Sequence, residues 1–368
     1  MNKNLRIILS VTAGIAVIAA GSYFLWKFFF APASTDEALI GSGGESAAGE
    51  ISIEKPLAIS DNPVFDYWIN KKTAELYYLQ PEGQIYKITA SGEEQDTGSK
   101  ALGGMSYIKP SADGTRVIVA FGYPRTPTFT IYTPAEKTWQ ALPEGTGAAS
   151  WNPTNGNILA YLKENGAASN LYTLDLSTKR TQNIVRLTQK DLDLDWVSGD
   201  LIYLKDRPSN RVAGSAWIYN FKSRTIRTAI RDEVGLSLRW PIGALRGFKW
   251  SASALKIVDL NGAETAAVDI KTLPSKCSLN SLNAYCAAPL NQSAITAASY
   301  PDDYFRKSRS FTDDFYLIPL ASAQLVGIKI SSSAISGIIV DADRVELDGS
   351  RLLFINRLDR RLYSLKVE

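Results

Sequence analysis

The 368-residue chain has no histidine, and that absence excludes more chemistry than any residue present. A Ser-His-Asp triad, a His-bearing zinc site and an imidazole proton shuttle all need one. Cysteine is almost as scarce. Cys277 and Cys286 are the only two, too few for a four-Cys zinc site or a disulfide-dense scaffold but enough for one bridge. Net charge is small as well: 40 Lys plus Arg against 37 Asp plus Glu leave a formal +3, without the basic excess typical of a nucleic-acid binder. No motif designates a metal or a cofactor. What is present, 45% hydrophobic and 21% charged residues, is the composition of a folded globular domain.

Ile7 to Trp26 carries no charge over twenty residues. At about 1.5 Å per residue, a helix of that length spans roughly 30 Å, the hydrocarbon thickness of a bilayer. Lys3 and Arg6 precede it, so the positive-inside rule predicts a single-pass anchor in the cytoplasmic membrane with the N-terminus inside. A cleaved signal peptide ending near Ala31-Pro32-Ala33 fits less well, because the apolar run is too long and the Trp-Lys-Phe-Phe-Phe approach is wrong for a peptidase. Residues 31–58 are rich in Ala, Ser, Gly and Glu and read as a flexible linker. The organisation expected is therefore a short tail and anchor over 1–30, a linker over 31–58, and an extracytoplasmic domain over 59–368.

Within that domain a unit repeats. Trp68, Ile108, Trp151, Trp196, Trp240, Leu279 and Val345 recur at intervals of 40, 43, 45, 44, 39 and 66 residues, each beginning a run of short alternating apolar segments. The stretches PSADGTR, NPTNGN, VSGD and LDGSR follow four of these positions and supply the Gly, Asn or Asp that a strand-connecting turn with positive φ requires. One such unit reads as a four-stranded antiparallel sheet that cannot bury both of its own faces, so neighbouring sheets must stack, and radial closure solves the problem. The fold expected is all-β, a seven-bladed β-propeller, although six or eight blades also fit the period. The last unit shows only three strands, DADRVEL, RLLFIN and RLYSLKV, and the segment at 51–59 is expected to supply the fourth. The long last interval marks an insertion at about 291–312 in blade six.

NPTNGNILAYL followed by NLYTLDLSTKR resembles the WD40-like repeat of TolB-type propellers, and the resemblance covers most of 60–368. LPSKCSLNSLNAYCAAPL, ASYPDDYFRKSRSFTDDFYLIPL and LDGSRLLFINRLDRRLYSLKV together resemble the C-terminal blades of membrane-anchored propeller proteins of small-genome bacteria. That resemblance implies a fold and a location, and carries no activity with it.

Cys277 and Cys286 fall on the first two strands of blade six. In register, with Ser278 opposite Tyr285, they would form a cross-strand disulfide worth roughly 2 to 3 kcal/mol in an oxidising compartment. DLDLDW at 191–196 begins like a calcium loop, but Trp196 and Ile202 stand where Gly and Glu are needed. Strand alternation instead puts the three Asp on one face and Leu192, Leu194 and Trp196 on the other. The residues just before the seven repeat positions are Tyr67, Tyr107, Ser150, Asp195, Arg239, Ser278 and Arg344. Asp195 and Arg239 hold the same place in adjacent blades and are expected to approach each other in the channel, as an inter-blade ion pair or as a polarised mouth for a charged ligand.

The blade-six insertion brings Tyr300, Asp302, Asp303, Tyr304, Arg306 and Phe311 together, a composition suited either to recognition or to a self-packing loop over the propeller edge. Ser253-x-x-Lys256 and the sequon at Asn291 lack a supporting context. The sequence thus predicts a membrane-anchored, extracytoplasmic scaffold that binds an envelope protein or cell-wall material. Its alternative is a carboxylate-dependent glycan-processing enzyme at the channel mouth.

Overall fold

The strand Ile158–Asn165 shows how the sequence builds the fold. Leu159 and Tyr161 enter one buried cluster, whereas Ala160 and Leu162 enter another on the opposite face. A strand apolar on both faces needs a neighbour on both sides. The computed structural model describes residues 54–367 except 167, 296–299 and 323, and among them 28 strands form seven four-stranded antiparallel sheets. Their innermost strands are Asp66–Asn70, Met105–Pro110, Thr146–Trp151, Asp193–Ser198, Ser237–Arg239, Cys277–Leu279 and Ala342–Asp348. Blades one to six occupy 66–100, 105–141, 146–187, 193–234, 237–268 and 277–331. Blade seven takes 342–366 and borrows its outermost strand, Leu57–Ala58, from the other end of the domain.

Seven buried clusters separate the seven sheets, one between each adjacent pair. The cluster that closes the ring joins Tyr67, Leu76 and Tyr78 of blade one to Leu353, Ile355 and Leu362 of blade seven. At the seam Leu57 pairs with Ser364 and Ala58 with Tyr363. The Ile59 amide donates to the Leu362 carbonyl at 2.8 Å, and Arg361 Nε donates to the Ser60 carbonyl at 2.6 Å. Ser331 Oγ, on blade six, donates to the Glu54 carbonyl at 2.7 Å. These contacts tie the described chain from Glu54 onward to blades six and seven.

Six of the seven repeat positions lie in innermost strands, and Trp240 lies one residue past Arg239. The turns depart in part from expectation. Gly114 and Gly349 do adopt φ of +67° and +58°, and a Cβ at Gly114 would lie 1.7 Å from the Ile69 carbonyl oxygen. In NPTNGN, however, neither Asn155 nor Gly156 is left-handed. That turn is held by the Asn152 side chain, which accepts from the Thr154 and Asn155 amides at 2.9 and 3.0 Å. A side-chain-capped turn achieves by hydrogen bonding what the glycine turn achieves by backbone freedom.

Cys277 and Cys286 are register partners beside the Ser278–Tyr285 pair and form a buried disulfide. The insertion lies between the second and third strands of blade six, Asn283–Pro289 and Asp313–Pro319, and contains a short helix, Asp302–Phe305. The expected anchor at 7–26 and most of the linker lie outside the described residues. Among those described, no helix is long and apolar enough to cross a membrane.

Candidate functional site

The innermost strands place polar residues in the channel, and two of their cations, Lys109 and Arg239, reach past a neighbouring blade to pair. Lys109 of blade two reaches past blade three to blade four, where its Nζ lies 3.0 Å from Asp195 Oδ1 and 3.3 Å from Asp193 Oδ1. Lys205, on the second strand of blade four, also contacts Asp195, and it donates to the Leu238 carbonyl of blade five at 3.1 Å. Arg239 of blade five reaches past blade six to Glu346 of blade seven, Nη2 to Oε1 at 2.6 Å. Its Nη1 is aimed at the carbonyls of Pro274, Ser275 and Cys277 at 3.3, 3.1 and 2.9 Å. The two blades passed over carry serine at the matching position. Ser150 and Ser278 accept from the Trp196 and Leu347 amides of the next blade, each at 3.0 Å.

Asp195 and Arg239 therefore do not form the pair expected of them, since each is committed to other partners. Lys205 and the Leu238 carbonyl stand as the link between them. Arg344 pairs with Asp66 at 2.9 Å across the closing seam. Burial alone would raise the Asp195 carboxyl, but Lys109 and Lys205 outweigh it and hold the group down at about 2. At Asp66 burial prevails over Arg344 and pushes the carboxyl up to about 6. The channel carboxylates thus serve as struts between blades.

Antiparallel order puts the loops between second and third strands, and those between blades, on one face of the disc. On that face four blades are joined. Arg207 Nε donates to Tyr123 Oη at 3.0 Å, linking blades four and two. Asp302 accepts from the Asn210 amide at 2.8 Å, linking the insertion to blade four. The Arg357 guanidinium of blade seven lies 4.0 Å over the Tyr304 ring and donates to the Tyr304 carbonyl at 3.2 Å.

Among the residues singled out from sequence, Tyr300 and Tyr304 are buried, and Tyr304 Oη donates to the Ala342 carbonyl at 3.0 Å. The Phe311 ring packs edge-on to Tyr300 with centroids 5.4 Å apart. These three rings hold the insertion down, as the self-packing alternative of the two expectations has it. Asp302 is likewise spent on loop closure, while Asp303 faces Arg309 at 3.9 Å. Arg306 remains open to solvent at 60% exposure, beside Phe305 at 48%, Val212 at 68% and Leu358 at 47%. The segments 206–212, 300–312 and 357–361 carry eight Arg or Lys and four Asp, an excess larger than that of the whole chain.

Sequence reasoning missed Lys109, Lys205, Glu346 and Asp66 as channel partners, and also a buried cluster of Lys276, Asp313, Asp341 and Arg357. Charged residues flanking the repeat positions were the available signal for the channel. The paired acids Asp313-Asp314 at the start of a strand were the signal for the cluster.

No protein-family model matches the chain, and no curated protein matches it. The solved structures that resemble it are propellers. The WD40 repeats of RRP9 align over 85% of this chain and 98% of theirs, with 9% identity and a TM-score of 0.56. An oligogalacturonate lyase from Vibrio parahaemolyticus aligns over 85% and 93%, with 10% identity and a TM-score of 0.56. TolB from Acinetobacter baumannii aligns over 82% of this chain at 11% identity with a TM-score of 0.42. The chain spans 63% of that TolB and 34% of the tricorn protease. At these identities the likeness establishes the propeller fold alone.

Proposed function

We propose that the protein is an extracytoplasmic scaffold, held to the cytoplasmic membrane by its N-terminal apolar segment, which binds an envelope protein or cell-wall partner through the loop face centred on the blade-six insertion. The observation that carries this reading is the division of labour between channel and loops. Asp193, Asp195, Glu346 and Asp66 are each paired with a cation, whereas Val212, Phe305, Arg306 and Leu358 stand exposed on loops braced against one another. A rigid face with protruding apolar and basic residues suits protein recognition. Acids already neutralised by cations do not suit general acid-base work on a glycan. The location is supported by the uncharged run from Ile7 to Trp26 behind Lys3 and Arg6, and by the pairing of the only two cysteines.

A photo-crosslinking residue at position 305 tests the binding face, with one at 245 as control. Leu245 is 75% exposed but sits on a loop between first and second strands, on the opposite face. Discrete adducts are expected in intact cells from position 305 and not from 245; equal labelling would defeat the assignment. Protease digestion of spheroplasts addresses the location, and a domain that stays protected until the membrane is lysed would contradict it.

A further inference from the structure

Beneath the insertion lies a charge cluster that the binding reading does not use. Lys276, Asp313 and Asp341 are wholly buried. Lys276 Nζ lies 2.7 Å from Asp313 Oδ2 and 2.8 Å from Asp341 Oδ1. The other oxygen of Asp341 accepts from Arg357 Nη1 at 3.0 Å and from the Phe311 amide at 3.1 Å. The Ala342 amide donates to Asp313 Oδ2 at 2.7 Å. Asp313 Oδ1 is buried with no hydrogen-bond partner among the described residues. The Tyr304 and Phe311 rings, 4.9 and 5.7 Å from Nζ, wall the site off from water.

A buried ion pair is strained by desolvation, and an orphaned carboxylate oxygen in a dry site adds to that cost. Both penalties disappear if amine and carboxyl condense. We propose that Lys276 and Asp313 form an intramolecular isopeptide bond, with Asp341 as the acid-base group of the reaction.

The atoms balance as follows. Lys276 gives one proton to Asp341 Oδ1, which it touches, and Asp341 hands it to the unpartnered Asp313 Oδ1, leaving a neutral amine and a neutral acid in contact. Burial already pushes the Asp313 carboxyl up and so favours this transfer. Burial would likewise lower Lys276, but Asp313 and its neighbours keep the ammonium form favoured, so the neutral pair is a minor species that the bond-forming step drains. The Nζ lone pair then attacks Cγ, and the carbonyl electron pair moves onto Oδ2, facing the Ala342 amide as an oxyanion faces its donor. Asp341 takes a proton from the nitrogen and returns it to Oδ1, the Cγ–Oδ1 bond breaks, and the oxygen leaves as water. Asp341 ends as it began, a carboxylate paired with Arg357. In the product the amide N–H donates to Asp341 and the amide oxygen accepts from Ala342. The departing oxygen is the one that had no partner.

Contact at this distance, held by packing, is the condition under which intramolecular acyl transfer gains its large effective concentration. The bond would tie the residue before the first strand of blade six to the first residue of its third strand. The disulfide already ties the first strand to the second. The base of the insertion would then be fixed covalently.

Intact mass spectrometry of the full chain, denatured and reduced, decides the matter. The mass should fall below that of the sequence by one water. After tryptic digestion no free 272–276 peptide should appear; residues 272–306 should instead be found joined to 310–329. In Lys276→Arg the deficit should vanish, a readout that does not depend on the variant's folding. A wild-type mass equal to that of the sequence, with a free 272–276 peptide, overturns the proposal, as does a deficit that survives Lys276→Arg.

Discussion

Ser150 and Ser278 occupy the same place in blades three and six, and a longer side chain at either would obstruct Lys109 or Arg239 on its way to the blade beyond. Arg239→Glu therefore does more than remove a charge. It sets a second carboxylate against Glu346 and removes the guanidinium from which the carbonyls of Pro274, Ser275 and Cys277 accept. The expected loss is about 2 to 4 kcal/mol of unfolding free energy, read as a lower urea midpoint; a variant as stable as the parent would show that the strut carries no load.

Asp66 gives a pH dependence with a definite sign. Its carboxyl sits at about 6 in the folded protein against an ordinary value of 3.8. The native state consequently holds more protons than the unfolded chain between these values. This group's contribution is complete below about pH 4 and is lost as the pH rises through 6. Asp66→Asn should remove about 2 kcal/mol of that decline between pH 4 and 7 in urea titrations; identical slopes in parent and variant would contradict the assignment. At this scale the sequence singled out Asp195 and Arg239 but not the residues they meet, Lys109, Lys205 and Glu346. Equivalent positions in adjacent blades suggest neighbours, whereas a serine lets the long cation reach the blade after next, and spacing along the chain does not reveal that reach.

Among the elements, blade six departs most from the repeat. Its insertion was legible because the interval from Leu279 to Val345 breaks the period, and its hairpin was legible because Cys277 and Cys286 flank a turn at matching distances. The sequence left the role of the insertion's aromatics open between recognition and self-packing. Tyr300, Tyr304 and Phe311 have the composition of an exposed recognition loop, and only the third dimension shows them packed against Trp250, Lys276 and Arg357. Replacing both cysteines by alanine should lower the unfolding free energy by about 2 to 3 kcal/mol, since the bridge closes a ten-residue loop. An unchanged denaturation midpoint would mean that the thiols are unpaired in the native protein.

On the scale of the whole molecule, seven interfaces of similar make carry the stability, and a ring so built holds its loops in fixed relation while adjusting little on binding. The blade count and the borrowed strand were readable because Trp68, Trp151, Trp196 and Trp240 keep the period and because the last unit lacks a strand. The skewed charge of the loop face was not read from the sequence, because its contributing segments are distant in the chain and meet only when the disc closes.

Closure of the ring fixes the channel and the loop face, and native-state hydrogen exchange tests it most directly. The Ile59 amide, which donates to Leu362 across the seam, should exchange only through global unfolding, in the same slow class as amides of the strand Ile158–Asn165. Exchange at Ile59 that is fast while Ile158–Asn165 stays protected would show an open ring and contradict the account.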